Sequence, residues 1–346
     1  VSEWVKNGFQ DSYDKIHCGG CWSDPHYLFR TKQSAPPLTR SNKIGFRCIK
    51  LESAYQDELD AVANKREFNI VEKGTVTREI FEAYQSMYGY DKNRELGTEM
   101  ISADLRPMEA LYREEQVTIQ AAYGSERIKV VLLFPRERKV IYHPIVFVPG
   151  ADSQRIGAYD STVNGAGGRY VKELLRTGRA VAIANYQGTF DRNDIPKNGE
   201  NARRDWIIQL TKDVSRVVDY LETRDDIDLT KLSYFGSSMG AFMGIAPLTM
   251  EKRFQAGVLL VGGAVAWDAK NEVDPTALAP FQTTPVLMIN GEFDNVFPLE
   301  TSSRPLFELM GAEDKTMELY PSSHSVDIRL WVPLVDKWLS DRFGAP

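Results

Sequence analysis

From about residue 113 onwards, the sequence predicts an α/β domain with a mostly parallel sheet of eight strands and helices on both faces. Two observations support this fold class. Short apolar runs alternate with longer segments, the pattern of parallel strands joined by crossover helices. Two of the longer segments also carry apolar residues at helical spacing. The predicted strands comprise residues 116–122, 128–134, 144–148, 180–184, 232–235, 256–260, 285–289 and 316–320.

The first two strands are separated only by Tyr123-Gly124-Ser125, which predicts an antiparallel hairpin. Residues 203–221 place apolar side chains at steps of three and four, which indicates a helix with one buried stripe. The stripe consists of Trp206, Leu210, Val214, Val217 and Leu221. The closing segment repeats the pattern from Ile328 to Leu339, and Pro333 either kinks this helix or marks its start.

Two further zones precede the sheet. Residues 1–50 are rich in Gly, Pro, Trp and Arg and lack apolar periodicity, which predicts a small loop-rich appendage. Residues 51–112 are charged and predict helix at 55–65 and 77–88, as a connecting or covering segment. The expected organisation is therefore 1–50, 51–112 and a main domain at 113–346.

The composition limits the class of partner. The 346 residues include 48 Asp+Glu and 42 Lys+Arg, a formal charge of −6, so no basic excess favours nucleic acid or an anionic membrane. The longest apolar run, 256–266, is too short to span a bilayer. Three cysteines are an odd count for a disulfide framework and favour a reducing, cytoplasmic compartment. The absence of an initiator Met suggests a fragment of a longer chain, and the oligomeric state stays open.

One motif carries chemistry. A predicted strand runs into Gly236-x-Ser238-x-Gly240 and then into a predicted helix. A sharp strand-to-helix turn strains the serine backbone, and larger residues two positions away on either side would collide with it. The serine hydroxyl then stands at the tip of the sheet, where the amides of the helix start stabilise negative charge.

The chain order supplies partners for Ser238. In this arrangement, Asp or Glu and then His follow the serine on loops at strand ends. Only one of the four histidines, His324, follows Ser238, which makes it the candidate base. Asp294 lies in the loop that follows a predicted strand at the same edge, and it is the residue predicted to orient His324. Alternatively, Asp294 is a turn residue that binds local backbone amides. The other candidates are Asp268, the nearest competitor, and Asp274 and Asp314, which are expected at the opposite edge.

The backbone amide of Met239 and that of Ala151, in the loop after strand 144–148, are the predicted oxyanion donors. Gly150 is a close alternative to Ala151, and Pro149-Gly150 is alternatively a plain turn. This set of residues predicts nucleophilic attack by Ser238 on an ester carbonyl, through an acyl-enzyme and without a metal or cofactor. The alternative is a fold of this type with an inactive triad.

These residues resemble the α/β-hydrolase fold of dienelactone-hydrolase and prolyl-oligopeptidase-like serine esterases, especially the hydrolase module at the end of some bacterial serine/threonine kinase fusions. The resemblance rests on the elbow and on FEAY (81–84), YDK (90–92), YQGTF (186–190), RRDW (203–206), DYLETR (219–224) and NGEFD (290–294). Residues 1–50 are similar to the tail of a formylglycine-generating, sulfatase-modifying domain, through CGGCWS (18–23), FR (29–30) and IGFRC (44–48).

Two departures limit what the resemblance implies. The cysteine pair of active formylglycine-generating enzymes is missing from the stretch after Trp22, so the appendage is expected to be structural. Dienelactone hydrolases carry a cysteine nucleophile where this chain has Ser238, so lactone specificity is not transferred. A kinase domain upstream in the parent chain is an implied partner.

The leading functional prediction is a serine carboxylesterase for small to medium acyl esters. A prolyl-oligopeptidase-like peptidase ranks second, because about 110 residues before the predicted sheet are too few for a propeller domain. A non-catalytic sensor module is third. Tyr186 and the Arg203-Arg204 pair are candidate pocket residues, with packing and helix-surface positions as the alternative. A zinc site formed by His17, Cys18, Cys21, His26 and Cys48 is a minor alternative, because the spacing lacks a second paired motif.

Overall fold

The computed structural model describes residues 2–8, 15–22, 33–47, 76–103, 112–137, 139–157, 159, 167–193, 201–265 and 269–346. The predicted helix at 55–65, the competitor Asp268, and the possible zinc ligands His26 and Cys48 lie outside these residues. Among the described residues, no helix is long and apolar enough to cross a membrane. The same residues contain no group of three or more His, Cys, Asp or Glu side chains arranged to hold a metal ion.

The N-terminal appendage contains more regular structure than its composition suggests. Its described part forms a small sheet in the order β3-β2-β1-β4. The strands are β1 (Ser2–Gly8), β2 (Lys15–Cys18), β3 (Gln33–Ala35) and β4 (Ile44–Gly45). Ile16 and Cys21 are buried, whereas Trp22 and Phe46 are exposed. The described part of this small appendage therefore contains four short strands in addition to the predicted loops.

The main sheet has nine strands in the described part of the chain, one more than expected, in the order β13-β12-β11-β10-β8-β9-β7-β6-β5. The strands are β5 (Glu99–Ala103), β6 (Tyr112–Gln120), β7 (Arg127–Pro135), β8 (Pro144–Val148), β9 (Ala180–Ala184), β10 (Ser233–Ser237), β11 (Ala256–Leu260), β12 (Val286–Gly291) and β13 (Lys315–Tyr320). The six strands from β8 to β13 are parallel, and β6 and β7 form the predicted antiparallel hairpin. The additional strand β5 pairs with β6, so the sheet begins before residue 113.

Helices cover both faces of the sheet. They are α1 (Arg78–Met87), α2 (Gly168–Arg176), α3 (Ala202–Glu222), α4 (Met239–Met243), α5 (Ile245–Met250), α6 (Pro275–Leu278), α7 (Arg304–Leu309) and α8 (Ile328–Phe343). Alternate residues of β8 point to opposite faces: Val146 packs with α3, and Phe147 packs with α2 and α8. Pro333 lies inside α8 and therefore does not mark its start.

The segment around α1 packs against the helices of the main domain. Thr77 caps α1, and Phe81 stacks on Phe281 with ring centroids 4.0 Å apart. The hydroxyl of Tyr88 donates to the carbonyl of Glu272, and that of Tyr90 donates to Asp219 in α3. These contacts hold the covering segment against the helical layer.

Candidate active site

Ser238 lies at the sharp turn between β10 and α4. Its backbone has φ 52° and ψ −109°, a region that non-glycine residues rarely adopt. A Cβ atom at Gly236 would clash with the carbonyl of Gly240, and one at Gly240 would clash with the carbonyl of Val148. Both motif glycines are therefore required by the close approach of backbone at this turn, as the sequence predicted.

His324 lies in the loop after β13 and reaches Ser238. The distance between His324 Nε2 and Ser238 Oγ is 2.8 Å. The backbone N–H of Phe293 donates to the carbonyl of Ser322, which ties the loop after β12 to the loop that carries His324. This contact joins the loops that bear the predicted base and its predicted orienting carboxylate.

Asp294 lies on the other side of the imidazole ring. Its Oδ2 is 2.8 Å from His324 Nδ1, and its Oδ1 accepts hydrogen bonds from the backbone N–H groups of Val296 (2.8 Å) and Phe297 (3.0 Å). The carboxylate is fully buried, whereas the imidazole keeps 20% of its surface exposed. Because an ionised carboxylate only accepts hydrogen bonds, Nδ1 carries the proton and Nε2 is left to accept from Ser238. Asp294 thus binds local amides, as the turn alternative required, and also contacts the histidine.

The other described aspartates have different roles. Asp274 caps α6 by accepting hydrogen bonds from the backbone and hydroxyl of Thr276. Asp314 precedes β13, at the opposite edge of the sheet, and pairs with Arg342. Neither contacts His324, so Asp294 is the carboxylate that the structure brings to the imidazole among the described residues.

The two predicted oxyanion donors begin helical turns. Met239 is the first residue of α4, and Ala151 is the first residue of a 3₁₀ turn, Ala151–Arg155, that follows β8. Such positions leave backbone N–H groups without intrahelical partners. An ideal Cβ on Gly150 would lie 3.5 Å from the Cβ of Ser238, so this loop passes directly beside the serine. The side-chain amide of Gln154, in the same turn, donates to Met239 Sδ at 3.2 Å and links the two segments.

A cavity of about 1110 Å³ opens beside Ser238 and His324. Gly150 and Ala151 form one wall, the start of α2 forms another, and the segment from Tyr320 to Leu330 forms a third. Lys43, from the N-terminal appendage, also lines the cavity. The appendage therefore contributes a residue to the wall of this cavity, which its expected structural role did not include.

Tyr186 does not line this cavity, and the prediction that it binds substrate is wrong. Its side chain is fully buried, and its hydroxyl donates to the carbonyl of Phe147. Burial raises the pKa of Tyr186 far above its ordinary value. Arg204 pairs with Asp205 at the start of α3, in agreement with the helix-surface alternative.

The sequence interpretation missed a buried carboxylate behind the loop after β9. Asp213 accepts hydrogen bonds from the Arg192 guanidinium (2.7 Å), the backbone N–H of Gln187 (2.7 Å) and the Tyr123 hydroxyl (3.1 Å). Burial raises the pKa of Asp213 to about 6, and the Arg192 charge opposes this rise. The signal was present in the sequence, because Asp213 lies three residues after Leu210 on the apolar stripe of α3.

Comparisons with known proteins agree with this architecture. Residues 169–280 match the sequence model of the prolyl oligopeptidase family, a segment that contains Ser238 and ends before Asp294 and His324. Comparison with curated proteins found no significant match.

Three solved structures illustrate the likeness. Acetyl xylan esterase 1 from Thermoanaerobacterium sp. aligns with a TM-score of 0.60 and 13% identity, covering 78% of this chain and 96% of that one. An acetyl xylan esterase from Paenibacillus sp. R4 gives 0.60 and 13%, with coverage of 80% and 96%. A glucuronoyl esterase from Solibacter usitatus gives 0.52 and 14%, with coverage of 77% and 93%. The chain therefore has the α/β-hydrolase fold, as predicted.

Proposed function

We propose that this chain is a serine esterase that hydrolyses small to medium acyl esters. The observation that carries this proposal is the continuous line of hydrogen-bond contacts from Ser238 Oγ through His324 to Asp294. Serine alone is a weak nucleophile at neutral pH, and a neighbouring imidazole with a free lone pair activates it. The fold of the esterases named above supports the same class of reaction.

In the proposed reaction, Ser238 Oγ attacks the ester carbonyl while His324 Nε2 takes the hydroxyl proton. Asp294 keeps the ring in the required tautomer and stabilises the imidazolium. The N–H groups of Met239 and Ala151 hold the tetrahedral oxyanion. His324 then protonates the leaving alcohol, and water, activated by the same ring, releases the acid from the acyl-enzyme.

A Ser238→Ala variant tests the proposal. The wild-type chain is expected to hydrolyse p-nitrophenyl acetate and butyrate, and the variant is expected to lose at least about 10³-fold in kcat, because the nucleophile is removed. A fluorophosphonate should label the wild type at Ser238 and leave the variant unlabelled. Ser86→Ala, an exposed serine of α1, is the matched control and should retain full activity and labelling. Ester hydrolysis by Ser238→Ala at the wild-type rate would overturn the proposal.

A peptidase is the second candidate, because the family model that matches residues 169–280 is that of the prolyl oligopeptidases. Cleavage of dipeptidyl anilides in preference to matched esters, lost in Ser238→Ala, would reverse the order of the two. A third possibility is a sensor module with an inactive site. It predicts that the fluorophosphonate fails to label the correctly folded chain.

Three further parts of the proposal are supported by the sequence alone. They are the fusion to an upstream kinase domain, the sulfatase-modifying origin of residues 1–50, and cytoplasmic localisation. The substrate is proposed to be a small-molecule ester, and no metal or cofactor enters the proposed steps.

A further inference from the structure

The loop after β8 places a buried hydroxyl beside the peptide unit that carries one of the predicted oxyanion donors. This peptide unit joins Gly150 to Ala151, so it contains the carbonyl of Gly150 and the N–H of Ala151. The hydroxyl of Ser153 donates to this carbonyl at 2.8 Å, and the backbone N–H of Ser153 donates to it at 3.1 Å. Because Ser153 is fully buried, water does not compete for the hydrogen bond of its hydroxyl.

The contact with Ser153 fixes the direction of the Ala151 N–H. A trans peptide unit is planar, so its N–H and its C=O point in opposite directions and rotate together. Gly150 precedes the 3₁₀ turn and provides no side-chain hydrogen bond to it, and a glycine leaves this rotation unrestricted by a Cβ. The hydroxyl of Ser153 therefore restrains a peptide unit that is otherwise free to turn.

A second side chain of the same turn links the two segments that carry the predicted donors. The side-chain amide of Gln154 donates to Sδ of Met239 at 3.2 Å. The backbone carbonyl of Gln154 accepts from the side-chain amide of Asn193 at 3.1 Å, which ties the turn to the loop after β9. Among the described residues, no backbone carbonyl accepts from the N–H of Ala151 or from that of Met239. Neither N–H group is thus committed to another backbone group of the described chain.

We propose that Ser153 and Gln154 are positioning residues of the oxyanion hole. Ser153 sets the direction of the Ala151 N–H, and Gln154 sets the distance between this N–H and that of Met239. This assignment rests on the proposed esterase function and adds two residues to the same site. Donors stabilise an oxyanion most when they already point to the place where its charge develops. Since neither Ser153 nor Gln154 belongs to the cavity wall, their loss should lower kcat and leave KM nearly unchanged.

Ser153→Ala tests the direction of the Ala151 N–H. Removal of one oxyanion donor costs about 10²- to 10³-fold in kcat, so we expect the loss of one restraint on a donor to cost about tenfold. KM for p-nitrophenyl butyrate should change by less than about threefold. Ser153→Thr keeps the hydroxyl and should stay within about threefold of the wild-type kcat. Thr249→Val, the matched control, removes an equally buried hydroxyl that donates to a carbonyl within α5, and should leave kcat unchanged.

Two measurements distinguish positioning from a loss of folded enzyme. Trifluoromethyl propyl ketone has the acyl chain of the butyrate ester. Ser238 Oγ adds to its carbonyl carbon, His324 takes the hydroxyl proton, and the former carbonyl oxygen becomes an oxyanion. The Ki of this inhibitor should rise in Ser153→Ala by about the factor by which kcat/KM falls. Fluorophosphonate labelling of Ser238 should become slower but reach the wild-type end point. A merely structural role of Ser153 would instead lower the end point and leave Ki unchanged.

A double-mutant cycle tests the link between Gln154 and Met239. Gln154→Ala removes the donor, and Met239→Leu removes the sulfur at similar volume. Each change should lower kcat about fivefold, because one donor is loosened rather than removed. Since both changes break the same contact, the double variant should lose no more than the larger single loss, whereas independent effects would multiply. Gln85→Ala, at an exposed glutamine of α1, is the matched control and should keep the wild-type kcat.

The outcomes separate these assignments from the esterase proposal. If the wild type hydrolyses esters through Ser238 while folded Ser153→Ala keeps kcat within about threefold or an unchanged Ki, the role of Ser153 is overturned and the esterase proposal stands. Multiplied losses in the cycle overturn the role of Gln154 in the same way. If Ser153→Ala does not fold, Ser153→Cys, which keeps the volume with a weaker donor, replaces it under the same criteria. Failure of a fluorophosphonate to label wild-type Ser238 overturns the esterase function and both positioning roles with it.

Discussion

Replacement of Asp294 by asparagine perturbs the candidate triad at a single atom. The two backbone N–H groups that donate to Oδ1, from Val296 and Phe297, require an acceptor at that position. The asparagine must therefore keep its carbonyl oxygen there and turn its NH₂ group towards His324 Nδ1. Nδ1 then has to accept a hydrogen bond, which moves the ring proton to Nε2. In this tautomer, His324 no longer has a lone pair that faces the Ser238 hydroxyl.

The expected effect is large because the wrong tautomer blocks the proton transfer itself. In serine-protease triads of this kind, the same aspartate-to-asparagine change lowers kcat about 10⁴-fold while the geometry is retained. A loss of this size corresponds to about 5 kcal/mol of transition-state stabilisation. Substrate binding does not involve Asp294, which is fully buried behind the imidazole, so KM should change by less than about threefold.

The assay is the steady-state hydrolysis of p-nitrophenyl butyrate by Asp294→Asn, together with the rate of fluorophosphonate labelling. Asp314→Asn, an exposed aspartate at the opposite edge of the sheet, is the matched control and should keep the wild-type kcat. Thermal unfolding establishes that both variants fold. If Asp294→Asn folds and retains more than a tenth of the wild-type kcat, the tautomer argument is wrong.

Three further changes have definite expected results. Gly240→Ala should cost at least about 2 kcal/mol in unfolding free energy and abolish fluorophosphonate labelling, because its Cβ would clash with the carbonyl of Val148; labelling at the wild-type rate would contradict this. Burial and the Lys231 charge lower the pKa of His143 from 6.5 to about 4. As the pH falls, this histidine is therefore protonated at a higher pH in the unfolded chain than in the folded chain. The free energy of unfolding measured with urea should therefore fall by up to about 2 kcal/mol between pH 7 and pH 5, and by less in His143→Gln. An equal fall in the wild type and the variant would refute this. Tyr186→Phe should lose about 1 kcal/mol of stability, from its buried hydrogen bond, and keep kcat/KM; a changed kcat/KM would restore a role in substrate binding.

The strands in the middle of the sheet were predictable because their short apolar sequences fit one kind of structure, a strand buried on both faces. β8, β9 and β11 match their predicted bounds, since short runs of Val, Ile, Leu, Phe and Ala are buried along their whole length. β5 was missed for the opposite reason. It is an edge strand in which Met100 and Ile101 stay exposed. Its sequence therefore shows neither a continuous apolar run nor an alternation of apolar and polar residues.

Within the candidate site, chain order and strand ends were sufficient to predict that Ser238, Asp294 and His324 lie together, because parallel strands bring their carboxyl ends to one edge of the sheet. They were insufficient for Tyr186, since a tyrosine just after a strand faces either the cavity or the core, and only the packing of its neighbours decides which. Arg169 and Lys43 were not predicted either. Their place in the cavity depends on where a helix start and a distant appendage meet the sheet edge.

The meeting of the three candidate residues follows from the register of the sheet. Ser237 pairs with Leu260, Leu260 with Ile289, and Ile289 with Glu318, so these four strands reach the same level across the sheet. Ser238 follows Ser237 directly. Asp294 lies five residues after Ile289, and His324 lies six residues after Glu318. A shift of one residue between β12 and β13 would turn each inward side chain outward and move the His324 loop by about 3.3 Å along the strand direction. Since a general base must lie within about 3.2 Å of the hydroxyl it deprotonates, the pairing of β12 with β13 is itself a requirement of the proposed chemistry.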